Sequence, residues 1–234
     1  MMSKQALQQP LAINVMNQNM VDSQIKTNGV HEEKLLDAFL SVPRCAFIPD
    51  AARAAQAYVD ADFPLYVQDK ARFLMEPRVF AKLIQAANIQ STDKILCLGC
   101  GTGYSAAVLT YLSNCIFAVE SRNADLDFAK TIWEKYGYHD IQAVNVDTIA
   151  AGYIKNAPYQ VIIIEGTVPF VPAAILAQLA IGGRLVTVLD NKQYPHQAVI
   201  IERFDQDHYD TKPLCDAFIL PCPEFQVTES QFSF

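Results

Sequence analysis

Apolar residues recur along the chain with two different periods, and the change from one to the other falls near Lys94. From about Asn14 to Ala87 the pattern is helical with one extended interruption. In VHEEKLLDAFLSV, starting at Val30, the residues Leu35, Leu36, Phe39 and Leu40 fall at helical spacing, and Pro43 ends the run. The stretch FIPDAARAAQAYVDADFPLYVQDKARFLMEP mixes prolines with alternating apolar positions and predicts loop with short strands. A helix then starts at Pro77, a favoured first helical position, and runs through VFAKLIQAA.

Beyond Lys94 strands and helices alternate. KILCLG, CIFAVE, IQAVNVD and YQVIIIEG read as four strands, the last apolar almost throughout, as a central parallel strand is. YSAAVLTYL, the segment from about Asn123 to Tyr136, and PAAILAQLA read as helices. GGRLVTVLD, QAVIIERF and DAFILP supply further strands, and the last two have so little chain between them that they pair antiparallel. Repeated β-α units predict an α/β fold: an open, mostly parallel sheet with helices on both faces. The division this implies is an N-terminal helical and loop extension over 1–90 and a sheet domain over 91–234.

Bulk composition narrows the function. The 234 residues are 51% hydrophobic, enough for one sizeable core. A formal charge of -7 and a pI near 5.0, with Lys and Arg scattered, point away from nucleic acid, which needs a clustered basic surface. The polar start lacks a signal-peptide core, and VIIIEG is too short to span a bilayer, so a cytoplasmic protein is expected. Six cysteines in a chain of this length are too sparse for a disulfide scaffold.

The candidate chemistry centres on ILCLGCGTGYSAAVL, from Ile95 to Leu109. The loop Gly99-Cys100-Gly101-Thr102-Gly103 follows the first long strand and opens a helix, where an open sheet binds its ligand. Glycine there permits positive φ and removes a Cβ that would obstruct a cofactor. Glu120 ends the next strand, about 20 residues on, the spacing of an acid that takes ribose hydroxyls. The glycines fall as G-x-G-x-G, with Tyr104 where a dinucleotide fingerprint has its last glycine, and no Walker lysine follows. An adenosine cofactor without pyrophosphate fits this pattern, and S-adenosylmethionine is the common one. Asp147 and Thr148 stand where its adenine would lie. The C-x-x-C of Cys97 and Cys100 is the competing reading. Zinc would require two more ligands, and thioredoxin-like chemistry wants the motif at a helix start, so no metal site is expected.

The chain resembles the protein-L-isoaspartate O-methyltransferases. The resemblance rests on MVDSQIKTNGVHEEKLLDAFLSVPRCAFIP, with V-P-R-x-x-F-[VI]-P at Val42 to Pro49, on LGCGTGYSAAVL, and on NAPYQVIIIEG followed by VPAAILAQLAIGGRLV. It implies a Rossmann-like class I methyltransferase fold, S-adenosylmethionine as methyl donor, and methylation of isoaspartyl carboxylates in damaged protein. It also implies a cofactor loop of Gly99, Cys100, Gly101, Thr102, Gly103 and Tyr104, with the N-terminal extension as the substrate side and a protein or peptide as partner. Position at the strand ends adds Glu120, Asp147, Thr148 and Glu165 to the cofactor site, the last facing substrate or the methionine moiety. Three positions depart from the family pattern: Met75 replaces a serine before the helix-opening proline, Cys97 an acid, and Gln160 an aspartate. With Met75 and Glu76 reshaping the pocket, a different acceptor, or cofactor binding without turnover, are the alternatives. Arg72 reads as a surface loop arginine, Trp133 as packing, and the aromatic loop of Phe63, Tyr66 and Phe73 as a lid. The terminal QFSF, with Phe225, Phe232 and Phe234, reads as core packing.

Overall fold

The computed structural model describes residues 11–225. Helix α1 (Leu11–Met20) continues through a π turn and a 3-10 turn to Gly29, and α2 (Glu33–Ser41) stops at Val42, before Pro43. Two 3-10 segments, Arg44–Phe47 and Ala51–Tyr58, lead to a two-stranded antiparallel ribbon of β1 (Phe63–Pro64) and β2 (Phe73–Leu74). Helix α3 (Pro77–Ala87) starts on its proline, as expected. The main sheet is then built from β3 (Lys94–Leu98), β4 (Cys115–Glu120), β5 (Ile141–Asn145), β6 (Tyr159–Val168), β7 (Leu179–Leu189), β8 (Gln197–Arg203) and β9 (Tyr209–Asp216). Between these run α4 (Tyr104–Leu109), α5 (Asn123–Tyr136) and the single turn α6 (Ala173–Leu176).

Strand order in the seven-stranded sheet is β5-β4-β3-β6-β7-β8-β9. The first five strands are parallel, and β8 and β9 join antiparallel. The chain winds outward from β3 to β5 and returns to β6 on the other side of β3. That reversal creates a switch point, and the crevice outside the carboxyl ends of β3, β4 and β6 is where such a sheet takes a ligand. Side chains of β3 alternate between faces with period two. Ile95 and Cys97 enter the core shared with α3, α4, α5 and the N-terminal helices, whereas Leu96 and Leu98 face Ile149, Tyr159 and Ile175. The second face is thus covered mainly by short turns and α6 rather than by long helices.

Two expected elements differ. The helix over PAAILAQLA is only one turn, because the main chain leaves directly for the sheet, where the O of the buried Gln178 accepts from Tyr159 N (2.9 Å). Its Nε2 donates to Ala151 O (2.9 Å) and its Oε1 accepts from Tyr153 N (2.8 Å), and Leu179 enters the sheet at once opposite Tyr159. The last strand lies over Tyr209–Asp216 instead of 216–221. Turn chemistry sets this register: Asp205 Oδ1 accepts from Asp207 N (3.0 Å) and His208 N (2.8 Å), which closes the hairpin and starts β9 directly after it. DAFILP then runs back across the sheet end, with Thr167 N donating to Leu220 O at 2.9 Å.

Arg44, the arginine of the V-P-R sequence, ties separate parts of the N-terminal segment to one another and lies against Tyr104 of α4. It is fully buried, its Nε donates to Ala57 O (2.6 Å), its Nη2 donates to Met75 O (2.8 Å), and its guanidinium lies 4.9 Å from the centre of the Tyr104 ring. Hydrogen bonds from a buried charged donor are worth about 1.5–3 kcal/mol each. Arg44→Met is therefore expected to lower unfolding free energy by roughly 3 kcal/mol. Urea titration followed by the fluorescence of the single tryptophan checks this; an unchanged midpoint would contradict it.

Candidate active site

The glycine loop begins where β3 ends. Its geometry is set partly by the protein itself, not only by room for a ligand. Gly101 has φ 51°, and a Cβ there would come within 3.1 Å of Leu65 Cδ1 and 3.9 Å of Arg72 Cβ. Gly103 has φ 87°, and a Cβ would lie 2.4 Å from the Trp133 ring, whose Nε1 donates to Gly103 O at 2.9 Å. Trp133 therefore both packs and fastens the loop. Leu65 and Arg72 flank the ribbon, so the β1–β2 segment lies over the loop. Its aromatics Phe63 and Phe73 are buried in the core, and the Tyr66 hydroxyl donates to Asp125.

Thr102 and Tyr104 turn toward the extension. The buried Thr102 hydroxyl donates to Phe47 O at 2.6 Å, and the Tyr104 ring meets Phe47 edge-on at 5.6 Å. Only their main chain borders the loop. Asp147 and Thr148 are exposed beyond β5; Thr148 caps the next turn by accepting from Ala150 N at 3.3 Å.

Glu120 is fully buried at the end of β4. Its Oε2 accepts from Gly101 N (2.9 Å) and Arg72 Nε (2.8 Å). Its Oε1 accepts from Arg72 Nη2 (2.7 Å), Ser121 N (2.8 Å) and Arg122 N (3.0 Å). Arg72 is 4% exposed, so the expectation of a surface arginine is overturned: the guanidinium makes a two-pronged pair with Glu120 and also reaches Glu224. Residue order carries no local mark of this, since core residues follow Arg72 at Phe73 and Leu74 while Ala71 before it is only half-buried.

Across β3, Glu165 near the end of β6 accepts from the Ser105 hydroxyl and from Cys97 Sγ (3.1 Å). Burial raises its pKa to about 7, and these neutral donors only partly offset that. The thiols of Cys97 and Cys100 are pushed well above the usual range, first by burial and then by the neighbouring carboxylates, so they stay protonated and are poor nucleophiles or ligands. Among the described residues no group of three His, Cys, Asp or Glu is arranged to hold a metal, and no helix is long and apolar enough to cross a membrane.

Met75 is buried, and its carbonyl is taken by Arg44. Glu76 N donates to Asp62 Oδ1 (2.8 Å), while the Glu76 carboxylate accepts from Arg78 Nε (2.6 Å). Alongside opens a groove of 560 Å³ lined by Asp62, Lys70, Glu76, His196, Phe218 and Leu220. Burial raises Asp62 to a pKa of about 6 although Leu220 N and Glu76 N both donate to it. Of the tail, Phe225 is buried, in keeping with core packing, while Phe232 and Phe234 lie outside the described residues.

The residues present fit an adenosine-containing methyl donor. Two buried or half-buried carboxylates end strands on either side of β3, with a glycine loop between them. Glu165 is held near half-ionisation with no cation among its hydrogen-bond partners, which suits a ligand that brings one.

The raised Glu165 pKa has a consequence for stability. The folded state holds a proton on Glu165 that the unfolded chain, with the ordinary value of 4.5, has lost between pH 4.5 and about 7. Stability contributed by this group is full below pH 4.5 and disappears as pH rises through 7. Glu165→Gln is expected to match the parent at pH 4.5 and to be roughly 1–3 kcal/mol more stable at pH 8. Melting temperatures of both proteins across that range check it, and parallel curves would refute it.

Comparison with known proteins gives this arrangement a lineage. The family model for protein-L-isoaspartate(D-aspartate) O-methyltransferase (PCMT) matches residues 15–222. The chain is 35% identical over 190 residues to the protein-L-isoaspartate O-methyltransferase of Protochlamydia amoebophila, covering 81% of this chain and 88% of that one. It is 33% identical over 202 residues to the enzyme so named from Rhodopseudomonas palustris, covering 86% and 90%. A solved protein-L-isoaspartate O-methyltransferase shares the fold at a TM-score of 0.75 and 23% identity; 88% of this chain matches, spanning 65% of that one. A second, a putative member from Plasmodium falciparum in complex with S-adenosyl-L-homocysteine, aligns at a TM-score of 0.69 and 14% identity, over 90% and 97% of the two chains. The chain belongs to the protein-L-isoaspartate(D-aspartate) O-methyltransferase family.

Proposed function

We propose that the protein transfers a methyl group from S-adenosylmethionine to the side-chain carboxylate of isoaspartyl residues in damaged proteins or peptides. The observation that carries this reading is the glycine loop at the switch point, flanked by Glu120 and Glu165, in a chain of this family. Bound there, the cofactor supplies an electrophilic methyl on a sulfonium leaving group. Glu120 would serve the ribose and Glu165 the ammonium group. Main-chain atoms of the loop from Gly99 to Tyr104 would form the floor, and the ground near Asp147 and Thr148 would take the adenine.

The acceptor needs little acid–base help, because a side-chain carboxylate is already ionised at pH 7. Rate then depends on alignment of nucleophile and methyl. The segment up to residue 90 supplies the substrate side, and the groove beside Glu76 takes the peptide. Lys70 and His196 on its walls would meet an anionic acceptor beside two carboxylates, Asp62, which burial raises to a pKa of about 6, and Glu76, which is paired with Arg78. Met75 offers no hydrogen-bond donor, so steric confinement by a buried thioether stands where a hydroxyl would orient the carboxylate. All six cysteines are unpaired thiols, which suits a reducing cytoplasmic setting.

The test is transfer of labelled methyl from S-adenosylmethionine to an isoaspartyl peptide, with the normal aspartyl peptide as control. Label on the isoaspartyl peptide alone is the expected result, and no label on either would overturn the proposal. Met75→Ser restores a donor to the carboxylate and is expected to raise kcat by about tenfold, the value of one hydrogen bond to a charged group.

A further inference from the structure

One carboxylate near the cofactor site belongs to neither the loop nor the strand ends. Glu224 lies in the 3-10 turn Pro223–Phe225, close to the end of the described chain. Its Oε1 accepts from the Ser121 hydroxyl (2.7 Å) and from Arg72 Nη2, and its Oε2 accepts from Ile149 N (2.7 Å). Ser121 is the first residue beyond β4, and Ile149 opens the turn that follows β5. These donors therefore stand at the carboxyl ends of the two strands that carry the ribose and adenine side of the proposed site. Glu224 reaches them from sequence separations of 75, 103 and 152 residues, so tertiary structure alone brings them together.

The turn is seated, not loosely apposed. Cys222 N donates to Thr167 O (2.9 Å), Phe225 N donates to Cys222 O (3.2 Å), and the Phe225 side chain is buried in the same cluster as Ile149. Burial opposes ionisation of Glu224, but the donors from Ser121, Arg72 and Ile149 outweigh it and hold its pKa below the ordinary value. The carboxylate is thus an anion occupying a ready-made set of donors. A single N–H or O–H serves one strong acceptor at a time. A ligand that uses Ile149 N–H or the Ser121 hydroxyl must remove Glu224 from it.

We infer that the C-terminal turn is an internal competitor for the adenosine end of the cofactor site, with Glu224 holding the Ser121, Ile149 and Arg72 donors until a cofactor displaces it. This rests on the cofactor reading above. Arg72 links the two carboxylates, because its guanidinium bonds both Glu120 and Glu224. The apparent affinity of the free protein is then its intrinsic affinity reduced by the fraction of molecules with the turn unseated.

The test uses the full-length chain and S-adenosylhomocysteine, which lacks the sulfonium charge, so that removing a carboxylate does not act through attraction to the ligand. Calorimetric titration of the parent and Glu224→Ala is expected to show at least a tenfold lower Kd for the variant. Glu224→Gln, which keeps an acceptor but no charge, is expected to fall between them. Independently, hydrogen exchange in the unmodified protein is expected to speed up at Cys222–Phe225 and slow at Gly99–Tyr104 when the ligand is added. Equal or weaker binding by Glu224→Ala would overturn the competitor role, as would slower exchange at Cys222–Phe225, and both would leave the cofactor site standing. Absence of binding by parent and variant alike would overturn both the competitor and the cofactor reading.

Discussion

The buried carboxylate of Glu120 is the constraint on which the site depends. An ionised carboxylate removed from water is tolerated only if it is paired and hydrogen-bonded on all sides. Here five N–H groups meet it: two from Arg72, and one each from Gly101, Ser121 and Arg122. Each donor belongs to a different piece of the architecture. Gly101 fixes the glycine loop, Ser121 and Arg122 fix the exit from β4, and Arg72 draws the β1–β2 ribbon over both. Neutralising one buried charge thereby positions the floor and the roof of the crevice together.

Glu165 shows what the same residue type does when its partners are neutral. Its hydrogen bonds come from Ser105 and Cys97 and not from a cation, so burial dominates and its proton is retained to about pH 7. Two carboxylates on either side of β3 therefore meet different partners. One is paired with Arg72 and internally satisfied. The other is half-ionised at neutral pH and improves on meeting a positive group. The asymmetry follows from one arginine lying on one side only.

The corner around Met75 carries a second constraint. Arg44 takes the Met75 carbonyl and Asp62 takes the Glu76 N–H, so the main chain that borders the groove is already engaged. Asp62 also accepts from Leu220 N, which ties the start of α3 to the run that follows β9. The groove is accordingly built between two segments far apart in sequence, held at fixed separation by one half-buried aspartate.

Much of this was legible in residue order. The helix from Pro77, the strands at Lys94, Cys115, Ile141 and Tyr159, and the helix over Asn123–Tyr136 follow from period, proline placement and apolar runs, because those signals are local. The glycine loop and its acid at Glu120 were legible for the same reason, since strand, turn and helix are contiguous. Tertiary structure alone decided which partner each polar group met. Arg72 reads as a surface residue until Glu120, 48 positions away, turns it inward, and Glu224 carries no local mark of its place against Ser121 and Ile149. The Gln178 side chain likewise meets Ala151 and Tyr153, which only the fold brings near. Hydrophobic periodicity is written along one chain segment, whereas the pairing of buried charges is a long-range matter that residue order does not encode locally.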